Sequence, residues 1–424
     1  MRLSYIIFIV LGCVVSSQYA VAQYVRGQVI EEISRNPIAG VYLKCYPDSV
    51  YCVSDSLGFF SFEGITHNRI DIEARCIGYE SAFISQILTA SSKDLVMTIE
   101  LKDKSNDLDE VVVSARHSKM LPQNEMALTS SRSFSVEECR RFAGGLDDPA
   151  RMASNFAGCG PTTPGSNAII VRGNAPASVL WRLEGIDIPS PVHFNGTGNI
   201  PGGGLYTIFS SFMLANSEFY SGCFPAEYFN TVGGVFNIKF RSGNPWKHEY
   251  SAQLGVQGLD LSAEGPLSRK NGSTFICNAR LSTMQLLKEI IPELSKRQSV
   301  RYQDYCAKFD IPNTKIGRIS IWGIMGNSNL IQDAADDPEE WISPDEGTDA
   351  SMKNLMFASG ISNEYTIDGG ISMKNTIAVT RNCQYLNYGE RHLSTPAIPA
   401  SDYVSDDKRT DLILSSTLNQ RLST

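Results

Sequence analysis

Hydrophobic and polar positions divide the chain into three regimes. From residue 23 to 103, short apolar runs are bounded by turn residues. They predict strands at Tyr24–Ile30, Gly40–Tyr46, Val50–Ser54, Phe59–Phe62, Arg69–Cys76 and Leu95–Leu101. Ser54–Gly58 reads as a turn, and Phe59, Phe60 and Phe62 supply aromatic mass for a core. This is the pattern of a small antiparallel β-sandwich. From 120 to 243 glycine is dense, and short apolar runs such as Ala168–Arg172 and Val179–Leu183 alternate with polar loops. Helices are expected at Val136–Ala143, with Ser135 as the cap, and at Leu205–Phe212. The whole reads as a compact α+β module.

From 244 onward the period is two. Tyr250, Ala252, Leu254 and Val256 share one face, and Ser251, Gln253, Gly255 and Gln257 the other. Leu259, Leu261 and Ala263 then oppose Asp260, Ser262 and Glu264, and Phe275, Cys277, Ala279 and Leu281 continue the alternation. Noisier runs follow near 301–310, 314–326, 351–361 and 368–381. Long strands with one apolar and one polar face suit a transmembrane barrel. They suit a soluble antiparallel sheet with one wet face equally well. Residues 244–424 hold about eight or nine strands of roughly ten residues each.

Between the first two regimes, in the linker 104–119, lies Leu108-Asp109-Glu110-Val111-Val112-Val113-Ser114-Ala115. An acidic pair runs into three valines inside a polar stretch. Valine favours strands, so this segment is either a core strand of a neighbour or a free strand able to add to another protein's sheet.

The first 22 residues form an export signal: Arg2, an apolar stretch from Leu3 to Val15, and Ala20-Val21-Ala22 as the cleavage site. Leu11-Gly12-Cys13 offers a competing lipoprotein reading. No later stretch is apolar enough for a membrane helix, so any spanning must be by a barrel. A net charge of −8 argues against nucleic acid as a partner. The acidic run 331–350 accounts for that charge and reads as a solvated loop. Nine cysteines follow the signal with no Cys-x-x-Cys among them, so they read as small buried apolar residues, with one or two disulfides open. No His-x-x-Glu, Gly-x-Ser-x-Gly or Walker loop occurs, so neither an enzyme nor a metal or other cofactor is expected.

Two sets of motifs carry a resemblance. Gly27-x-Val29, Pro37-Ile38-Ala39-Gly40-Val41 and Asp55-x-x-Gly58-x-Phe60-x-Phe62 resemble the carboxypeptidase-regulatory-like domain, a seven-stranded sandwich. Asn167–Asn174, Leu180–Pro189, Gly222–Tyr228 and Gly233–Asn244 resemble the plug of TonB-dependent outer-membrane receptors of the Bacteroidetes type. The resemblance implies a signal peptide (1–22), sandwich (23–103), linker with TonB box (104–119), plug (120–243) and partial barrel (244–424). It implies energy-coupled uptake across the cell outer membrane. Leu108, Asp109, Glu110, Val111, Val112, Val113 and Ser114 become the strand that pairs with the inner-membrane coupling protein. Outer-membrane lipid and a surface lipoprotein are the other implied partners.

Within the plug, Arg172 and Arg241 are expected to pair with acids of the plug or wall, Glu184 and Glu227 being candidates. Gly173, Gly233 and Gly234 are expected at tight turns or close contacts. His193, Phe194 and Asn195 are expected on an outward loop, which is either a plain flexible loop, the favoured reading, or a candidate ligand contact. Cys223 and Phe229 depart from the family pattern, and Phe229 is expected to alter packing against the wall. The family barrel has 22 strands, so the chain is expected to be truncated at its C-terminus. A surface-binding protein without transport is the alternative function.

Overall fold

The computed structural model describes residues 25–32, 36–65, 67, 69–88, 95–103, 130–134, 139, 142, 144–162, 166–196, 202–215, 217–255, 258–283, 298–335, 347–367, 371–392 and 398–420. The segment Leu108–Ser114, the expected export signal and most of the acidic run lie outside them. The chain forms two compact units, divided after His117.

The first unit holds seven strands: β1 (Val25–Glu31), β2 (Tyr42–Tyr46), β3 (Val50–Val53), β4 (Phe59–Phe62), β5 (Arg69–Arg75), β6 (Ala82–Leu88) and β7 (Leu95–Leu101). They make one sheet in the order β4-β1-β7 and another in the order β3-β2-β5-β6. Val25, Val29, Phe60, Phe62 and Ile99 of the first sheet and Leu43, Cys45, Ile70 and Ile72 of the second share one core. The predicted turn is built by Asp55, whose Oδ1 accepts from the N–H groups of Leu57 (2.9 Å) and Phe59 (2.8 Å). Gly58 has φ +75°, and a Cβ there would stand 2.4 Å from the Val29 carbonyl oxygen. Only glycine meets both demands. The strand β6 was not foreseen, because Ala-Phe-Ile-Ser-Gln-Ile-Leu does not alternate.

The second unit begins with an inner module, residues 130–243. Its strands are β8 (Ser131–Phe134), β9 (Cys159–Pro161), β10 (Ile169–Val171), β11 (Leu180–Leu183), β12 (Ile186–Ile188), β13 (Val192–His193), β14 (Tyr206–Thr207), β15 (Ser217–Tyr220) and β16 (Val235–Ile238). The central sheet runs β12-β11-β16-β15-β8. Trp181 of β11 stacks on Phe236 of β16, ring centroids 4.1 Å apart. The helix α1 (Pro149–Ala153) is capped by Asp148, which accepts from the Ala150 N–H.

The expected helix at Leu205–Phe212 is instead β14 followed by a turn. Leu205, Ile208, Phe209 and Phe212 recur at helical spacing. In the fold they serve different surfaces: Leu205 packs with Phe194 and Tyr302, whereas Ile208 and Phe209 enter the main core. Val136–Ala143 lies largely outside the described residues.

The remaining strands are β17 (Glu249–Leu254), β18 (Gly258–Ser268), β19 (Ser273–Ser282), β20 (Gln298–Thr314), β21 (Gly317–Gln332), β22 (Thr348–Ile367), β23 (Ile371–His392) and β24 (Ile398–Gln420). They form one antiparallel sheet in sequence order. Strand count matches the sequence reading, but β20 to β24 are far longer than ten residues. Connections at one end are short, as at 315–316 and 368–370. At the other end they reach 283–297 and 333–347.

One face of this sheet carries the inner module. Ile276, Cys306, Trp322, Ile324, Met356 and Ala358 of the sheet join Phe134, Trp181, Phe209 and Phe236 of the module in a single core. The other face carries a bare apolar band. Register places Phe275, Phe309, Ile321, Ile361, Ile377 and Leu414 in one row across six strands. Leu414 is 72 % exposed, Leu412 69 % and Ile377 59 %.

Candidate functional site

Several charged groups of the sheet sit on the covered face. On β20, Asp304, Lys308 and Asp310 alternate inward, and on β18 Glu264 does the same; all four are buried. A buried charge is tolerated only when it is paired and hydrogen-bonded. The inner module supplies the partners, so the interface between module and sheet is the candidate site.

Arg241, at the end of the module, meets Glu264 as a two-pronged fork. Its Nη1 donates to Oε2 at 2.6 Å and its Nη2 to Oε1 at 2.8 Å. Its Nε donates to the Phe212 carbonyl at 2.7 Å, which fixes the guanidinium plane. Glu184 carries the opposite polarity. Leu183-Glu184-Gly185-Ile186 is the two-residue turn between β11 and β12, with φ +54° at Glu184 and +88° at Gly185. That pair of left-handed residues is what a tight hairpin requires. The turn delivers Glu184 to the wall, where Lys308 Nζ donates to its Oε1 at 3.0 Å and the Phe240 N–H to the same oxygen at 2.7 Å. Lys308 also donates to the Phe240 carbonyl at 2.9 Å.

A third cluster joins β13 and β14 to the wall. Arg280 of β19 donates through Nε to Asp304 Oδ2 at 2.7 Å, and through Nη2 to the Thr207 carbonyl at 2.5 Å. His193 Nε2 lies 2.6 Å from Asp304 Oδ1, off the line of a hydrogen bond, with both side chains at most 1 % exposed. The His193 ring is 4.7 Å from that of Tyr302. Smaller polar contacts complete the seam. Ser242 donates to Asp310, Ser210 Oγ to Asp260 at 2.8 Å, the Phe194 N–H to Ser328 Oγ at 3.3 Å, and Gln384 Nε2 to the Asn195 carbonyl at 2.9 Å.

Asp148 holds the module together behind this seam. Its carboxylate accepts from the N–H groups of Ala150 and Thr207, both at 2.8 Å, and from Asn167 Nδ2 at 3.1 Å. Burial pushes its carboxyl above the ordinary carboxylate range, against the pull of those donors. Asp148→Ala is expected to lower unfolding stability by about 2–3 kcal/mol, because it orphans buried N–H groups and removes the helix cap. Urea unfolding followed by Trp181 fluorescence measures this.

The sequence-named residues therefore separate. Arg241 and Glu184 reach the wall, with partners Glu264 and Lys308 that were not foreseen. Glu227 stays within the module, 3.6 Å from Arg182, whose Nε is 3.0 Å from Asp187. Arg172 does not pair with an acid among the described residues. Its Nη2 donates to Ser130 Oγ at 2.6 Å, where the chain enters β8. Gly173 has φ +83° in the turn after Arg172. Cβ atoms at Gly233 and Gly234 would meet Ser178 and Phe219. His193 and Phe194 do not form an outward loop. They are 1 % and 0 % exposed, because His193 sits against Asp304 and Phe194 packs on Tyr302 and Met352. Phe229 is 68 % exposed, so it does not press on the wall.

All nine described thiols are free. Burial pushes Cys45 and Cys52 up to about 12, and Cys159 to about 11, which leaves them protonated and unreactive.

The geometry defines an antiparallel sheet with buried charges on its covered face and an apolar band on its bare face, in a chain that also holds a β-sandwich. Residues 25–113 match the CarboxypepD_reg-like domain. No curated protein matches the chain. Among solved structures, the chain is similar to the pyoverdine outer-membrane receptor FpvA of Pseudomonas aeruginosa, at 13 % identity and TM-score 0.46, covering 71 % of this chain and 43 % of that one. It is also similar to the ferric-catecholate import receptor Fiu of Escherichia coli, at 12 % identity and TM-score 0.45, covering 70 % and 47 %. The siderophore receptor PiuA of Acinetobacter baumannii gives 11 % and 0.44, covering 70 % and 43 %. The chain spans less than half the length of these receptors.

Proposed function

We propose that the chain carries the sandwich, coupling box, plug and eight wall strands of a TonB-dependent outer-membrane receptor, which takes up a ligand by energy-coupled transport. The observation that carries this reading is the inverted sheet. Buried Asp304, Glu264 and Lys308 face the inner module, while Ile361, Ile377, Leu412 and Leu414 are bare on the opposite face. In water that arrangement leaves a large apolar surface unpaid for; in a bilayer it is the expected one. The short connections at one end and long ones at the other match the two sides of such a barrel. The motifs at 167–174, 180–189, 222–228 and 233–244 fall in the inner module, on the covered face, where a plug belongs.

In this reading Leu108–Ser114 pairs edge to edge with the coupling protein. Four or five backbone hydrogen bonds at about 0.5–1.5 kcal/mol each give a contact that holds under tension and still releases. The plug's bonds to the wall then set what the pull must break. The chain works by rearrangement and performs no covalent chemistry.

Val112→Pro removes a backbone donor from the middle of the box. Titration with the purified periplasmic domain of the coupling protein is expected to show at least about tenfold weaker binding. Val112→Ala is expected to bind nearly as wild type. Equal binding by the proline variant would sink the box assignment and favour a surface-binding protein without transport.

A further inference from the structure

The β3-β2-β5-β6 sheet of the first unit turns Leu43, Cys45, Ile70 and Ile72 into the sandwich core. Its other face is aromatic. Register places Val53, Tyr42 and Arg75 in one row, Tyr51, Lys44, Glu73 and Phe83 in the next, and Tyr46 and Asp71 in a third. Tyr51 is 68 % exposed and Tyr42 42 %. Their ring centroids stand 6.0 Å apart, with 23° between the planes. Among the described residues β3 pairs only with β2, so the two rings lie at the rim of the sheet.

The polar groups around these rings are held in place. The Tyr46 hydroxyl donates to Glu73 Oε2 at 3.1 Å, and Arg75 Nε donates to Glu73 Oε1 at 2.7 Å. Lys44 Nζ sits 4.6 Å from the centre of the Tyr46 ring. Lys44 and Arg75 balance Asp71 and Glu73, which leaves the face without net charge. Tyrosines on a sheet, bordered by bonded polar groups, are organised before a ligand arrives, and this lowers the entropy that binding costs. Cross-strand stacking accounts for Tyr42 meeting Tyr51. It gives no reason for leaving both rings in water beside a third.

Size and charge decide among occupants. An aromatic side chain covers about 150–250 Å² when buried. Two part-open tyrosines and Val53 therefore fall short of the roughly 800 Å² per partner of a stable protein contact. The balanced charge offers no steering to an anion, a nucleic acid or an acidic peptide. A pyranose ring suits both facts. One flank is a surface of C–H bonds that packs on an aromatic face. Its rim is hydroxyl, which accepts from a guanidinium and donates to a carboxylate. From Tyr42 to Tyr46 the face runs four residues along β2, about 13 Å, longer than a single sugar ring.

We propose that the outer face of this four-stranded sheet is a binding site for uncharged oligosaccharide. Tyr42 and Tyr51 stack on the apolar flank of the sugar, and Glu73 and Arg75 bond to its hydroxyls. The proposal concerns the first unit alone and does not depend on how the second unit functions.

The test uses the whole chain in a detergent without a sugar headgroup, run in native gels that contain a soluble polysaccharide. The neutral probes are mixed-linkage β-glucan, amylopectin and galactomannan; polygalacturonate is the acidic one. Wild type is expected to be retarded by at least one neutral probe, equally at low and high salt. Tyr42→Ala with Tyr51→Ala should weaken that retardation at least about tenfold, whereas Tyr42→Phe with Tyr51→Phe keeps the rings and should stay within about threefold. Both tyrosines lie outside the sandwich core, so a melting curve matching wild type shows that the alanine pair folds. Retardation by no neutral probe overturns the proposal. So does equal retardation of the folded alanine pair, which places binding in the second unit. Retardation by polygalacturonate alone, lost in high salt, overturns it in favour of an ionic ligand.

Discussion

Asp304→Ala is expected to cost about 3–5 kcal/mol of the second unit's stability, because it strands the Arg280 guanidinium in the seam. Arg280 is 12 % exposed and Asp304 fully buried. With the carboxylate gone, the cation keeps the carbonyls of Thr207 at 2.5 Å and Phe209 at 3.5 Å and the face of the Tyr302 ring at 5.4 Å. Asp260 stands opposite Arg280 in register, but its oxygens already accept from Ser210 and Asn278. It cannot turn to Arg280 without breaking those bonds. His193 loses its neighbour at the same time, so β13 and β14 should detach from the wall first. Urea unfolding in detergent gives the free energy, and amide exchange at Phe194, Tyr206 and Thr207 locates the loss. A cost below about 1 kcal/mol would show that Asp260 takes over, and the seam would then not depend on this carboxylate.

Lys308 and Glu184 carry the second large effect, and its sign depends on how many partners are removed. Glu184→Ala leaves the buried Lys308 ammonium with the Phe240 carbonyl and the nearby Asp310 carboxylate, whereas Lys308→Ala leaves the Glu184 carboxylate with the Phe240 N–H alone. Lys308→Ala should cost about 3–5 kcal/mol, and Glu184→Ala less. Glu184→Leu combined with Lys308→Met removes both charges and keeps most of the volume. That double variant is expected to lie within about 2 kcal/mol of wild type, the loss being the two bonds to Phe240 and the attraction of Lys308 for Asp310, which keeps Arg318 at 3.5 Å. A double variant as unstable as the singles would mean that the pair stabilises by its charge, not merely by avoiding an orphan.

Particular residues show how much of this could be read beforehand. The bounds of β4 and β7 agree with the sequence reading, because turn residues flank each run. The lengths of β22, β23 and β24 were not legible. Their outer portions, such as Ser401–Asp411, lie beyond the apolar band, and where both faces are polar the period-two signal vanishes. Glu264, Asp304 and Lys308 were visible only as the polar half of an alternation. That half reads as water-facing, and nothing local reveals that a module fills the space. Arg241 was legible as an ion-pairing residue, but its partner lies on another regime of the chain. Arg172 misled for a simpler reason: a hydroxyl at Ser130 satisfies a guanidinium without leaving any charge pattern. His193 and Phe194, beside a run of glycines, looked like a loop tip. Their burial depends on wall strands that begin a hundred residues later.

The edge position of β8 has a mechanical consequence. Tension arriving from the N-terminal side of residue 130 reaches first the Arg172–Ser130 bond and the bond from the Ser221 N–H to the Ser130 carbonyl at 2.9 Å. Next comes the four-residue pairing of β8 with β15. These ruptures cost about 0.5–1.5 kcal/mol apiece and can occur in succession. The ion pairs behind them must each give way at several times that cost. A pulled chain would therefore peel in stages, surrendering its outermost strand while the rest of the module stays anchored, so that a modest force yields a partial and recoverable opening.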